Sequence, residues 1–261
     1  MNKGVNMCLI IFAYDYHSKY KLVVAANRDE FYERPTVKAS FWKDEPTILA
    51  GQDLKEGGTW LGVNTDGHFA ALTNYRDPSS IKDNAPSRGQ LVKNYLISNL
   101  SPTEYMETIP NAGSDYNGFN LLLGDKSDLY YLSNQKQERQ KLSKGVYGLS
   151  NSLLNVKWPK VTKGIDNLTE ILSGNNFEVN DLFNMMADRD LVKDEDLPNT
   201  GVGMELERIL APAFVVSPNY GTSLTTVLLM DYESNVKYWE RTFINQNPNN
   251  WEEAYYEIAA T

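Results

Sequence analysis

A chain of 261 residues, 41% hydrophobic and 23% charged, has enough apolar material to bury a large core within one domain. Its formal net charge of -9 makes nucleic acid and anionic membrane poor partners, because most of the surface repels a polyanion; a neutral or cationic small molecule is the easier ligand, and an anionic one such as an acyl thioester is disfavoured. One cysteine excludes an internal disulfide and the two histidines form no cluster with zinc-site spacing, so a reducing, cytoplasmic setting and no metal or other cofactor are expected.

The apolar run Met7 to Ala13 is too short to span a membrane and closes on Tyr14-Asp15, so neither insertion nor export is expected. Cys8 to Tyr14 and Tyr20 to Ala26 are β-rich runs that predict a hairpin, its first strand opening with Cys8. Thr59 to Val63 and His68 to Thr73 predict a second hairpin, with Asp66-Gly67 supplying the positive φ angles of the turn and Asn74 just past its end. Two helices are expected next, one capped by Ser87 and one opened by the capping box Ser101-Pro102-Thr103-Glu104. Strands return at Phe119 to Gly124, Leu129 to Leu132 and Gly145 to Ser150, followed by helices over Trp158 to Leu172 and Asp181 to Ala187, the latter capped by Asn180. Arg189 to Gly203 reads as a surface loop, and Ser223 to Asp231 with Asn235 to Thr242 as a closing hairpin. This order predicts an α+β fold, a four-layer αββα sandwich of two stacked antiparallel sheets, as a single domain with residues 1–6 as an extension before Met7-Cys8.

Three strand ends carry groups capable of chemistry. Cys8 reads either as a small buried hydrophobe or, if the chain is trimmed after Met7, as a nucleophile whose own α-amine, pKa about 7.7 to 8.0, accepts the thiol proton. Asn27-Arg28-Asp29-Glu30 abruptly ends an apolar strand that the hairpin returns beside Cys8. There Arg28 favours a thiolate and Asp29 orients an amine, unless the tetrapeptide is a solvated turn. On a regular strand, adjacent Arg28 and Asp29 point to opposite faces, so only a kink would aim both at Cys8. The glycine-dense stretch Gly57-Gly58-Thr59-Trp60-Leu61-Gly62 implies closely packed backbone, and its hairpin ends on Asn74, an oxyanion donor or a simple turn former. Asn151, closing Gly148-Leu149-Ser150-Asn151, is open to the same two readings.

These motifs, with Leu72-Thr73-Asn74-Tyr75-Arg76, Arg88-Gly89 and Tyr116-Asn117-Gly118-Phe119-Asn120, resemble in order the Asn-Arg-Asp-Glu family, which includes the transport and Golgi organisation 2 proteins. More distantly the chain is similar to the choloylglycine hydrolases and penicillin V acylases, cysteine N-terminal-nucleophile (Ntn) enzymes opening on Met-Cys. The resemblance implies Cys8 as nucleophile, Arg28 and Asp29 as its electrostatic partners, and Asn74 and Asn151 as ligands of the reacting carbonyl. Asn27, Trp60 and Tyr75 are the candidate substrate-binding residues beside them. The chain departs from the pattern at Tyr220-Gly221-Thr222-Ser223, where the family often has arginine after the threonine, and in the six residues before Met7. The function implied is a hydrolase or acyltransferase acting on a linear amide or related acyl compound. The alternative is a carrier of haem or lipid, for which Cys8, His17 and His68 are the conventional axial ligands, the methionines being weaker candidates.

Overall fold

In the computed structural model, residues 7–109, 113–174 and 176–260 are described; the extension before Met7 lies outside them. In chain order, β1 (Met7–Tyr14), β2 (Tyr20–Phe31), β3 (Thr36–Phe41), β4 (Ile48–Asp53), β5 (Leu61–Asn64) and β6 (Phe69–Asn74) precede α1 (Gly89–Ile97) and α2 (Pro102–Thr108). Then β7 (Phe119–Gly124), β8 (Leu129–Ser133), β9 (Glu138–Lys141) and β10 (Gly145–Leu149) lead to α3 (Pro159–Ser173), α4 (Val179–Met186) and α5 (Met204–Leu210). Finally β11 (Tyr220–Asp231), β12 (Val236–Phe243) and β13 (Trp251–Ile258) complete the first sheet.

Six strands rather than four precede the first helices, because β3 and β4 add a second hairpin after the Asn-Arg-Asp-Glu segment. The strands form a six-stranded sheet, β10-β1-β2-β11-β12-β13, and a seven-stranded sheet, β3-β4-β5-β6-β7-β8-β9, antiparallel throughout.

The period of two along each strand explains the layering. On β1 and β2, Ile10, Phe12, Leu22, Val24 and Ala26 join Leu49, Leu61 and Ala71 of the other sheet in one apolar core between the sheets. The alternate residues Leu9, Ile11, Val23 and Ala25 pack under α3 and α4. On the far side, Ile48, Ala70, Leu121 and Leu123 pack under α1 and α2. The layers are therefore helix, sheet, sheet, helix, the expected αββα sandwich.

Local chemistry agrees with expectation at some ends and not at others. Ser101 accepts from the Glu104 amide at 3.3 Å and Pro102 opens α2, as its capping box requires. Ser87 is not the cap of α1: Arg88 occupies that position without a side-chain cap bond. Asn180 lies inside α4, whose capping box is Glu178 with Asp181. Only Gly67 of the Asp66-Gly67 turn takes positive φ, at 89°, since the Asn64 carboxamide oxygen closes the turn by accepting from Asp66 and His68 amides at 3.0 and 2.8 Å. The surface loop after Arg189 contains a short 3₁₀ turn at Asp194–Asp196 and runs into α5, which the sequence reading missed. No helix among the described residues is long and apolar enough to cross a membrane.

Candidate active site

The hairpin register brings the first motif together. Cys8 on β1 lies opposite Arg28 on β2, and Met7 opposite Asp29. Beyond them β11 carries a bulge: Thr222 faces Asp29 but Leu224 faces Arg28, leaving Ser223 as the extra residue. Ser223 Oγ donates to the Arg28 carbonyl at 3.1 Å, so the bulge is fixed at the strand end that carries the site.

Arg28 and Asp29 do sit on opposite faces, and no kink of β2 aims them alike. Arg28 lies on the inter-sheet side, its guanidinium 4.3 Å from the Trp60 ring centroid and 3.4 Å from Glu30 Oε2. Asp29 lies on the helix side, where Oδ1 accepts from Thr222 Oγ1 at 2.6 Å. Both nevertheless border one cavity of about 260 Å³, with Cys8, Trp60 and Asn74.

The glycines behave as their density implies. A Cβ on Gly58 would overlap the Gly89 carbonyl carbon, and the Thr59 amide donates to the Gly89 carbonyl at 3.2 Å. This backbone contact holds the start of α1, with Arg88, against the cavity wall.

Asn151 ties the strand ends at Cys8 and Asn74 together. Its Oδ1 accepts from the Cys8 amide at 3.3 Å, and its Nδ2 donates to the Asn74 carbonyl at 2.7 Å. The side chain therefore holds the Cys8 backbone against that of Asn74, which is a positioning task. Tyr75 turns away from the cavity and lines a neighbouring one with Arg76 and Trp158. Asn27 does not line the cavity: it is 1% exposed on the helix face, donating to the Met186 and Ala213 carbonyls at 2.8 Å each and accepting from Thr225 Oγ1 at 2.6 Å. Every polar atom of its carboxamide is thereby occupied in docking the strand against the layer above.

Electrostatics in the site follow from burial. With Met7 attached, burial pushes the Cys8 thiol up to about 12; Asp29 and Glu30 push the same way, against Arg28. Asp29 is raised to about 6, again by burial, while Lys160, the Thr222 hydrogen bond, Arg28 and Arg76 pull it back. Asp29 is 1% exposed and its Oδ2 has no hydrogen-bond partner among the described residues. Lys160 of α3 is lowered to about 8 by burial, with Asp29 opposing, and donates to the Leu210 carbonyl at 2.8 Å. Arg76 pairs with Glu207 of α5 at 2.8 Å, both side chains almost wholly buried.

Lys160, Arg76 and Glu207 form a buried charged layer behind Asp29 to which the sequence reading gave no role. Lys160 left one signal: it heads the buried i, i+4 stripe Lys160, Gly164, Leu168, Leu172 of α3, where a lysine is out of place. Arg76 and Glu207 left none, being 131 residues apart. Neither histidine lines the Cys8 cavity: His17 stacks on Tyr20, and His68 on Tyr95.

An αββα sandwich of two stacked antiparallel sheets is the fold of the Ntn hydrolases, and solved structures of that fold match it. A Caenorhabditis elegans ortholog of N-acylethanolamine-hydrolyzing acid amidase matches with TM-score 0.50 and 12% identity, over 85% of this chain and 92% of that one. A mutant of the conjugated bile acid hydrolase from Clostridium perfringens matches with TM-score 0.51 and 12% identity, over 97% and 96%. At such identities the likeness is one of fold. The chain belongs to the Transport and Golgi organisation 2 family, whose model matches residues 7–245, starting at the Met7-Cys8 pair. The bovine Transport and Golgi organization protein 2 homolog is 37% identical over 273 residues, 97% of this chain and 99% of that protein. The human homolog is 35% identical over 274 residues, and the Drosophila melanogaster protein 28% over 281, with similar coverage.

Proposed function

We propose that this protein is a cysteine hydrolase or acyltransferase for linear amides or related acyl compounds, with Cys8 as nucleophile and its own α-amine as base once Met7 is removed. The observation that carries this reading is the buried Asp29 Oδ2, without a partner among the described residues, at the strand end opposite Met7-Cys8. A buried carboxylate oxygen left unpaired costs stability, and an ammonium at the Cys8 nitrogen would give it a charged hydrogen-bond donor. Hydrolysis of the Met7–Cys8 peptide bond supplies that group.

With Met7 in place the Cys8 nitrogen is an amide, bonded to Asn151, and cannot take a proton. Freed, it becomes an amine of pKa about 7.7 to 8.0, so roughly half is neutral near that pH and available to accept the thiol proton. The thiolate then attacks the substrate carbonyl carbon: the S–C bond forms and the carbonyl π pair moves onto oxygen. Asn74, on the cavity wall, donates its amide hydrogen to that oxyanion, its backbone held by Asn151. Collapse breaks the C–N bond, and the ammonium proton leaves with the amine. Water or another acyl acceptor releases the acyl group from sulfur and restores the thiol. Throughout, Asp29 balances the ammonium, and Lys160 with Arg76 keeps Asp29 ionised.

The test uses the chain cleaved to begin at Cys8, with the uncleaved chain and a cleaved Cys8→Ala variant as controls, against a panel of N-acyl 4-nitroanilides. Release of 4-nitroaniline by the Cys8-initiated chain alone is the expected result. Equal release by the Cys8→Ala chain, or none by any form, would remove the proposal.

A further inference from the structure

Arg88 stands apart among the guanidiniums of the Cys8 cavity. Arg34 meets Asp53 at 2.5 Å and Glu30 at 3.5 Å, and Arg28 meets Glu30 at 3.4 Å with its face covered by Trp60. Among the described residues no carboxylate pairs with Arg88. Its Nη1 donates to the Gly118 carbonyl at 2.8 Å, a neutral acceptor that leaves most of its five N–H groups for the cavity. Burial lowers its pKa to about 10, so it remains cationic at neutral pH, and its charge is felt at Cys8.

A half-buried cation with no carboxylate partner among the described residues is open to an anion that a ligand brings. Of the carboxylates on the wall, only Glu30 acts on Arg88, and it does so through space without forming an ion pair with it. Glu30 and Asp53 are engaged by Arg28 and Arg34. Glu56 is exposed at the rim, where solvent and salt screen it, and Asp29 lies on the other face beside the site of the α-amine. The uncapped start of α1, immediately after Arg88, adds the positive end of a helix dipole to the same wall. The wall is also short of apolar surface: Trp60, Leu72, Ala85 and Pro86 are its apolar side chains, too few to enclose a long acyl chain within about 260 Å³.

We infer that Arg88 anchors an anionic group of the substrate, a carboxylate held in the same cavity as the reacting carbonyl, so that the substrates are compact linear amides bearing a second, anionic function. The inference rests on the hydrolase reading for its chemistry, but the anion site has a readout of its own. The net charge of the whole chain opposes such a ligand at long range; Arg88 reverses the sign locally, where the contact is made.

The probes are succinamate and butyramide, two linear amides of similar length that differ in one carboxylate. Ammonia release by the Cys8-initiated chain is expected to favour succinamate at least 10-fold in kcat/KM. Arg88→Met should remove that preference through KM, and Arg88→Lys should restore part of it. Calorimetric titration of the uncleaved chain, which cannot turn over, is expected to show succinamate bound, butyramide not, and succinamate lost in Arg88→Met. Arg88-dependent succinamate binding without ammonia release would sustain the anion site while defeating the hydrolase reading. Equal binding of both amides, no binding of either, or undiminished succinamate binding by the Arg88→Met chain would overturn the inference.

Discussion

While Met7 remains attached, the Cys8 thiol should be nearly inert towards iodoacetamide, because burial raises it to about 12 from an ordinary 9.0. At pH 8 an ordinary thiol is about one-tenth thiolate, whereas one of pKa about 12 is ionised in only about one molecule in ten thousand. Alkylation of the native uncleaved chain should therefore run about 1000-fold slower than that of the urea-unfolded chain at the same pH. It should accelerate about tenfold per pH unit up to the limit of stability. Removing the residues through Met7 places an ammonium against the sulfur, which favours the thiolate and should speed alkylation below pH 8. Asp29→Asn should raise the rate of the uncleaved chain, since Asp29 is the leading charge opposing ionisation. Mass-resolved alkylation kinetics measure all of these. A native rate within tenfold of the unfolded rate, with a midpoint near 9, would refute the claim that burial suppresses Cys8 before processing.

The remaining predictions concern the buried charges. Glu240, 1% exposed, is raised from 4.5 to about 7 by burial, and its Oε1 accepts the Ala39 amide at 2.6 Å, a bond that glutamine keeps. Below pH 4.5 the carboxyl is protonated folded and unfolded; between 4.5 and 7 only the unfolded chain releases the proton, so stability falls as pH rises. Glu240→Gln should thus exceed wild type by up to about 3 kcal/mol above pH 7 and by nothing near pH 4, as urea denaturation will report. Glu207→Ala strands the buried Arg76 guanidinium and should cost about 3 to 5 kcal/mol, whereas Arg76→Met with Glu207→Leu should recover most of it in the same assay. Because Lys160 is the leading charge holding Asp29 down, Lys160→Met should raise Asp29 further and move the acid limb of the pH–rate profile to higher pH; an unmoved limb would exclude Lys160 from the site's electrostatics.

The parts of the fold that were legible in the sequence are those where one face is buried and the other is not the solvent edge. β1, β2, β5, β6 and β7 read as β-rich runs because they lie inside their sheets. Three of the four strands that escaped notice, β3, β9 and β13, are sheet edges; the fourth edge, β10, was legible because Tyr147, Gly148 and Leu149 are buried. Glu138-Arg139-Gln140-Lys141 and Trp251 to Ile258 face solvent along most of their length, so the alternation that marks a strand is lost. Interior β4 was missed because Ala50-Gly51-Gln52 interrupts its apolar run, Gly51 being required where the Trp60 ring packs. In α5 the buried position that periodicity expects to be apolar is Glu207, serving Arg76 instead.

The site was legible where its residues end consecutive strands of one hairpin, as Cys8, Arg28 and Asp29 do, because antiparallel pairing dictates their proximity. It was illegible where proximity depends on packing between layers. Asn27 belongs to the same tetrapeptide as Arg28, yet the strand period turns it towards α4 and away from the cavity. Arg88, Lys160 and Glu207 come from three helical segments, and no local spacing links them to Cys8.

The proposed chemistry passes an acyl group through Cys8, and trapping that intermediate tests it most directly. The Cys8-initiated chain, mixed with an N-acyl 4-nitroanilide, quenched in acid within one turnover and weighed intact, should carry one acyl group, located on Cys8 by peptide mapping and absent from both the uncleaved chain and the Cys8→Ala variant. Release of 4-nitroaniline with the acyl group found on another residue, or adduct formation undiminished while Met7 is still attached, would contradict it.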